Sequence, residues 1–189
     1  LADAAAISDE QIMRYFSQME SLANNNEVAL LLGKNGFERG SSEISEIFRA
    51  LSGTNRQLRG DLSVLEYYVY FRDMDITLSS TTAFLDSRLY YGDFFQWADM
   101  SPDQWYGFTE GRRHDNSIYP VEHINVNSKF GGIQTGKTAK ALLFLQSLPF
   151  DSRTSNDGYV ALFIKESEFT RLLEGIDMGP DGFASILDA

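Results

Sequence analysis

Cysteine is absent from the 189 residues of this chain. Its absence excludes disulfide frameworks, zinc sites built from thiolates, and cysteine nucleophiles. A chain without cysteine is typical of cytoplasmic proteins. It fits equally well a domain exported by a Gram-positive cell, where free thiols are often avoided.

Long apolar runs are also missing. No stretch of 18 apolar residues occurs, so nothing in the sequence is predicted to span a bilayer. The opening residues, LADAAAISDEQ, have neither the basic start nor the apolar core of a signal peptide. If the natural protein is membrane-bound, we expect its spanning helices to lie outside this sequence.

Basic residues are few. The chain has 16 lysines and arginines against 27 aspartates and glutamates, which gives a net charge of -11. Contacts with phosphate groups need a basic face, so this balance excludes nucleic acid as a partner of this domain. It also disfavours docking on an anionic membrane surface.

Histidine is scarce as well, with only His114 and His123. Asp115 and Glu122 lie beside them, but a spacing of nine residues across a predicted loop is not a metal-ligand signature. No G-x-S-x-G elbow occurs, and no carboxylates are spaced as a catalytic pair. We therefore predict no catalytic residues, no metal, no cofactor and no enzymatic activity.

Hydrophobic periodicity predicts helices in the first sixty residues. Ile12, Tyr15 and Met19 follow helical spacing, and a second helix is predicted from Ser41 to about Leu58. Two further short helices are expected, over residues 103–110 after Ser101-Pro102 and from Ser167 onwards.

Strand patterns dominate the remainder. LSVLEYYVYF (62–71) and ITLSS read as a hairpin, and further strands are predicted around Pro120, over 138–150 and over 158–166. Strands in one block, with helices kept apart from them, predict an α+β fold with an antiparallel sheet of about five strands.

The stretch GGIQTGKT (131–138) satisfies the phosphate-loop pattern, with Gly131, Gly136, Lys137 and Thr138 at the fixed positions. A real phosphate loop follows a buried parallel strand and opens a helix. The preceding EHINVNSKF is too polar for such a strand. We expect residues 131–137 to form a turn between antiparallel strands with no helix starting at Lys137. A nucleotide-binding enzyme using Gly131 to Thr138 remains the alternative.

Aromatic residues crowd the middle of the chain: Tyr67, Tyr68, Tyr70, Tyr90, Tyr91, Phe94, Phe95, Trp97, Trp105, Tyr106 and Tyr119. Strand alternation puts Tyr68 and Tyr70 on one face of the sheet and Tyr67, Val69 and Phe71 on the other. One face must pack on the long helices. The other is expected to form an aromatic cup covered by residues 80–115, suited to a ligand or simply to a core.

The order of elements resembles the extracellular double Cache (dCache) sensor domain. Versions in Gram-positive AraC-type transcription regulators and sensor histidine kinases fit best. The resemblance covers residues 7–175 and rests on two short strings, in which Leu148-Pro149, Gly158-Tyr159 and Lys165-Glu166-Ser167-Glu168 match.

This resemblance implies a PAS-like antiparallel sheet carried on a long N-terminal helix, outside the cell, in a membrane-spanning parent protein. It divides the chain into a helical stalk (1–60), a membrane-distal sensor module (61–175) and the start of a truncated membrane-proximal module (176–189). It implies sensing of a small molecule or a partner protein rather than catalysis. A homodimer through the N-terminal helices is a further expectation. A dimerisation module without a ligand is the other alternative.

Candidate ligand-binding residues follow from the aromatic cup and the resemblance: Tyr70, Arg72, Trp105, Tyr106, Tyr119, His123 and Asp157. Amino-acid-binding members of the family place an Arg two residues before a Trp-Tyr pair. Here Trp105-Tyr106 is present but residue 103 is Asp, so an amino-acid ligand is not assigned. Arg112 and Arg113 join Arg72 as candidate contacts for an anion.

Overall fold

A computed structural model describes residues 2–36, 40–58, 60–91, 95–97, 100–126, 138–152 and 154–173. The predicted loop at 131–137 and the predicted start of a membrane-proximal module (176–189) lie outside these ranges.

Three helices precede the sheet: α1 (Ala2–Ala23), α2 (Asn26–Leu32) and α3 (Ser41–Leu58). Both predicted helices are present, and α2 was not predicted. Asn25 caps α2, because its side-chain oxygen accepts a hydrogen bond from the Glu27 backbone N–H at 2.9 Å. The apolar VALLL that comes after the cap therefore continues as helix.

Seven strands and three further helices complete the described residues. The strands are β1 (Val64–Phe71), β2 (Ile76–Ser79), β3 (Ala83–Phe84), β4 (Phe95–Trp97), β5 (Ser117–Val126), β6 (Thr138–Leu148) and β7 (Gly158–Lys165). The helices are α4 (Ser87–Leu89), α5 (Pro102–Glu110) and α6 (Ser167–Leu173).

All the strands form one antiparallel sheet in the order β3-β2-β1-β7-β6-β5-β4. The five long strands are those that the sequence predicted, and the α+β class is confirmed. The predicted count of about five is wrong by two edge strands, β3 and β4. These have two and three residues, which is too short for any alternation of apolar and polar residues to be seen.

The phosphate-loop alternative is contradicted by the element that begins at Thr138. This residue opens strand β6, which pairs antiparallel with β5 and β7. A phosphate loop needs a helix at this point, because the helix N-terminus holds the phosphate. The predicted antiparallel strands on either side of residues 131–137 are confirmed.

The two faces of the sheet have different coverings. On one, Tyr67, Val69 and Phe71 share a buried cluster with Tyr15 and Met19 of α1 and with side chains of α2, α3 and α6. We call this the helix face. Tyr68 and Tyr70 point to the opposite face, as strand alternation predicted. The helices of residues 1–60 thus share a core with the sheet, while the proposed domain boundaries stay predictions.

Aromatic contacts fix α1 and α6 on the helix face. The Tyr15 ring lies 5.3 Å from Phe144 of β6 and 6.0 Å from Phe169 of α6, measured between centroids. Complete burial of such a side chain contributes about 1.5–3 kcal/mol. None of the described helices is both long enough and apolar enough to cross a bilayer.

Candidate ligand-binding site

The sheet face opposite the helices carries a dense group of aromatic side chains. We call it the tyrosine face and define it by six residues that are each at most 4% exposed: Tyr68, Tyr70, Tyr90, Tyr91, Trp105 and Tyr159. Three of them stand on the adjacent central strands β1 and β7. The other three come from the segment that covers the sheet, as the prediction of an aromatic cup required.

Helix α5 brings Trp105 to this face, and its start is fixed by local chemistry. The Ser101 hydroxyl accepts a hydrogen bond from Gln104 N–H at 3.2 Å, and the Gln104 side chain accepts from Ser101 N–H at 2.8 Å. Pro102 occupies the first turn, where a missing N–H costs nothing. The predicted short helix is therefore confirmed, beginning one residue earlier than expected.

The hydroxyl of Tyr159 links the sheet to its cover. It lies 2.8 Å from the Tyr91 hydroxyl and accepts a hydrogen bond from Trp105 Nε1 at 3.1 Å. Around this centre the Tyr68 ring makes edge-on contacts with Tyr90 and Tyr159, at centroid distances of 5.4 and 5.8 Å. Such geometry stabilises aromatic groups beyond simple area burial, by about 0.5–1.5 kcal/mol per pair.

These hydroxyls stay protonated at physiological pH. Burial raises the pKa of Tyr68, Tyr90 and Tyr91 well above the ordinary tyrosine value, and raises that of Tyr159 to about 12. Neutral hydroxyls donate and accept hydrogen bonds but are poor bases and nucleophiles. The tyrosine face therefore offers neutral hydrogen-bonding groups on a mostly apolar surface.

The edge of the face near the end of α5 is polar. Tyr70 donates a hydrogen bond to Glu110 Oε1 at 3.1 Å, and burial followed by the Glu110 charge raises the Tyr70 pKa. Tyr106 packs beside it, with its ring centroid 6.2 Å from that of Tyr70 and 5.4 Å from that of Tyr91. Three predicted site residues, Tyr70, Trp105 and Tyr106, therefore lie together.

Tyr119 belongs to a neighbouring cluster around His114. Its hydroxyl lies 3.0 Å from His114 Nδ1 and accepts a hydrogen bond from Arg112 at 3.0 Å. His114 Nε2 lies 3.0 Å from the Phe108 carbonyl, which can only accept, so Nε2 carries the proton. A neutral His114 then accepts from Tyr119 through Nδ1. The cluster ties the end of α5 to β5.

Arg72 and Asp157 meet at the ends of β1 and β7. The Arg72 backbone N–H donates to the Asp157 carbonyl at 2.9 Å. One orientation of the Asn156 amide gives hydrogen bonds to both of its ends. In it the oxygen accepts from Arg72 Nη2 at 2.9 Å and the nitrogen donates to Ser147 Oγ at 3.2 Å. Both predicted residues thus lie at the loop edge of the sheet rather than among the rings.

His123 lies apart from the other candidates. It is exposed on β5, at a register shift between Val121 and Ile124. A metal site would have combined His123 with His114, but both ring nitrogens of His114 already form hydrogen bonds, with Tyr119 and with the Phe108 carbonyl. Among the described residues, no group of three histidine, aspartate or glutamate side chains could hold a metal ion. That any of the seven candidates binds a ligand stays a prediction.

Sequence reasoning missed Tyr159 as a site residue, although it is the hub of the face. It was read only as part of the Gly158-Tyr159 string. Alternation along β7 could have found it, since Tyr159, Ala161 and Phe163 share one face of the strand. His114 and Glu110 were missed as well, because only the fold shows that α5 ends beside β5 and β1.

Comparisons with known proteins identify no family for this chain. No family model and no curated protein sequence matches the chain. Among solved structures, the chain is similar to the extracellular domain of a proposed histidine kinase, vpHK1S-Z8, with a TM-score of 0.44 and 11% sequence identity. The match covers 91% of this chain and 55% of that one, so this chain spans about half its length. A TM-score this low does not establish a shared fold.

Proposed function

We propose that this chain is an extracellular ligand-sensing domain of a membrane-bound signalling or transcription-regulatory protein, and that a small polar molecule binds at the tyrosine face. The observation that carries the proposal is the composition of that face. Helices cover one side of the sheet, whereas the other side presents buried tyrosine hydroxyls and an indole N–H beneath a cover of short elements.

The chemistry of the face suits a binding site. Tyrosine and tryptophan combine broad apolar surfaces with hydrogen-bonding tips. The hydroxyls of Tyr91 and Tyr159 hydrogen-bond each other here, so a polar ligand entering between them would replace one hydrogen bond by others.

The topology supports a PAS-like sensor. The first and last of the five long strands lie side by side at the centre of the sheet, as in a PAS-like sheet, and α1 packs across one face. Together with the resemblance to dCache domains, this favours sensing over catalysis. The extracellular location, the membrane-spanning parent and a histidine-kinase or AraC-type output belong to the same proposal.

A route for the signal follows from strand alternation. On β7, Tyr159 belongs to the tyrosine face, whereas its neighbour Val160 lies in the helix-face cluster with Tyr15 and Met19 of α1. A shift of β7 on ligand binding would therefore move the surface on which α1 packs. Two arrangements of α1 on the sheet would provide the two states that a sensor needs.

A thermal-shift screen against amino acids, sugars, organic acids and short peptides tests the proposal. A ligand of the folded state raises the midpoint of unfolding in a concentration-dependent way. We expect at least one class to do so. Failure of every class in the wild-type chain would favour a partner protein or a ligand-free role instead.

Dimerisation through the N-terminal helices is a second candidate function, favoured by two exposed apolar residues. Ile44 and Phe48 are 37% and 55% exposed and lie one helical turn apart on α3. Molecular mass measured by light scattering over a range of concentrations tests this. Loss of the dimer in Phe48→Glu, with helical content unchanged, would support it, and a monomer at every concentration would exclude it.

A further inference from the structure

The strands β1 and β2 separate at a buried carboxylate. Their last paired residues at this end are Tyr68 and Ser79. Beyond them, Glu66 Oε1 accepts hydrogen bonds from the backbone N–H groups of both Tyr67, at 2.9 Å, and Ser80, at 3.1 Å. One carboxylate oxygen thus accepts both hydrogen bonds at the point where the two strands diverge.

A cavity of about 380 Å³ opens beside this fork. Its lining combines the apolar side chains of Leu58, Val64 and Leu65 with the carboxylates of Asp61 and Glu66. None of the six tyrosine-face residues lines it. The volume lies at the lower end of the range of about 300–1,000 Å³ found for small-molecule sites.

Glu66 lines the cavity and, within the described part of the chain, has no cation to balance its ionised form. This residue is 5% exposed, yet no lysine, arginine or histidine among the described residues forms an ion pair with it. A buried carboxylate without a cation is costly. Burial accordingly raises the Glu66 pKa, against the opposing effect of the hydrogen bonds from Ser80 and Tyr67.

Asp61 adds a negative charge to the lining, and its cationic partner Arg14 lies 3.9 Å away. Burial works to raise its pKa, but hydrogen bonds from Ser63 and Gln18 and the charge of Arg14 lower it overall, so Asp61 is ionised at neutral pH. The remaining polar groups of the lining include the Asn55 amide oxygen, which accepts a hydrogen bond from Tyr67 Oη at 2.5 Å. The wall is therefore rich in acceptors.

We propose that this cavity is a binding site for a small primary amine, whose ammonium group pairs with Glu66 and whose short alkyl chain lies against Leu58 and Leu65. An ammonium group donates three hydrogen bonds and supplies the missing positive charge. An anion would meet the ionised Asp61 and the buried acid Glu66, and a purely apolar molecule would supply no charge that favours the ionised form of Glu66. The site is separate from the tyrosine face and does not depend on the sensing role.

The test uses the purified chain and n-butylamine, with butyrate and n-butanol as probes of equal chain length. Amide chemical shifts are followed by NMR during titration at neutral pH. We expect saturable shifts for butylamine at Leu65, Glu66, Tyr67 and Ser80, and none of comparable size for butyrate or butanol. Shifts confined to Tyr68, Trp105 or Tyr159, or no saturable binding, would overturn the proposal.

Glu66→Gln sharpens the test, because glutamine keeps an oxygen that can accept from Tyr67 and Ser80 while losing the charge. We expect butylamine affinity to fall about tenfold or more, since the charge-assisted pair is lost. Glu122→Gln is the matched control, because Glu122 is exposed on β5 and pairs with Lys140 at 2.7 Å. Unchanged affinity in Glu66→Gln would contradict the site. If that variant does not fold, the wild-type shift map decides alone.

Discussion

The hydroxyl groups of Tyr91 and Tyr159 lie 2.8 Å apart in the interior of the protein. Tyr159 stands on the central strand β7, and Tyr91 belongs to the segment that covers the sheet. Their hydrogen bond joins the floor of the tyrosine face to its cover, and the Trp105 indole N–H joins the same oxygen at 3.1 Å. One buried oxygen atom of the sheet therefore bonds two residues of the cover.

Replacing Tyr159 by phenylalanine is expected to lower the free energy of unfolding by about 1–3 kcal/mol, because Tyr91 and Trp105 lose a buried hydrogen-bond partner. Chemical denaturation monitored by circular dichroism measures the change. Tyr70→Phe is the matched control. The Tyr70 hydroxyl donates a hydrogen bond to Glu110 at the polar edge of the face, so Tyr70→Phe is expected to lower the free energy of unfolding by about 1 kcal/mol or less. Equal losses in the two variants would contradict a special role for Tyr159.

His114 is expected to make stability depend on pH. Burial lowers its pKa below the ordinary value, and the Arg112 charge acts in the same direction, while the Phe108 carbonyl and Asp115 oppose them. The unfolded chain therefore takes up the proton first as the pH falls. Stability from this group is complete above about pH 6.5 and declines below it, towards the folded-state pKa.

The pH dependence can be assigned by substitution. Between about pH 5 and 7, the free energy of unfolding of His114→Gln should vary less steeply with pH than that of the wild type. His123→Gln controls for the removal of a histidine from an exposed position, on β5. A wild-type slope in His114→Gln would show that the histidine takes up its proton equally in the folded and unfolded chain, which would contradict a lowered pKa in the fold.

Glycine at position 158 is expected to be required for the pairing of the two central strands. A Cβ at this position would collide with the carbonyl oxygen of Tyr70 on β1, which is backbone and cannot rotate away. Gly158→Ala should therefore cost several kcal/mol, as severe overpacking does, or prevent folding.

Gly107→Ala provides the contrast. A Cβ at Gly107 in helix α5 meets nothing within 4 Å. Because alanine favours helix, this variant should be more stable by about 0.5–1 kcal/mol. Thermal unfolding of both variants checks the pair. Similar midpoints for the two would contradict the close approach of β1 and β7.

The long elements could be predicted because their periodicity reflects burial. Tyr15 and Met19 occupy the buried stripe of α1, and the alternation of Tyr67 to Phe71 assigned both faces of β1 correctly. Helix α2 was missed because its start depends on the Asn25 cap within an otherwise weak ANNNE segment. The two edge strands were missed because so few residues carry no period.

The site was predictable only in part, for a physical reason. Composition pointed to an aromatic cup, and Tyr70, Trp105 and Tyr106 do lie together. Which strands are neighbours is set by tertiary packing, so the sequence could not place Tyr159 beside Tyr91. The carboxylate at the fork of β1 and β2 was equally hidden, because Glu66 reads as one polar residue in an aromatic strand.

Binding of a small polar molecule at the tyrosine face can be mapped by NMR, from the amide chemical shifts of the chain titrated with the strongest thermal-shift compound. We expect saturable shifts at Tyr68, Trp105 and Tyr159, and an affinity about threefold to tenfold weaker in Tyr159→Phe, because one hydrogen bond is lost. Saturable shifts that leave these three amides unmoved, with the same affinity in Tyr159→Phe, would contradict it.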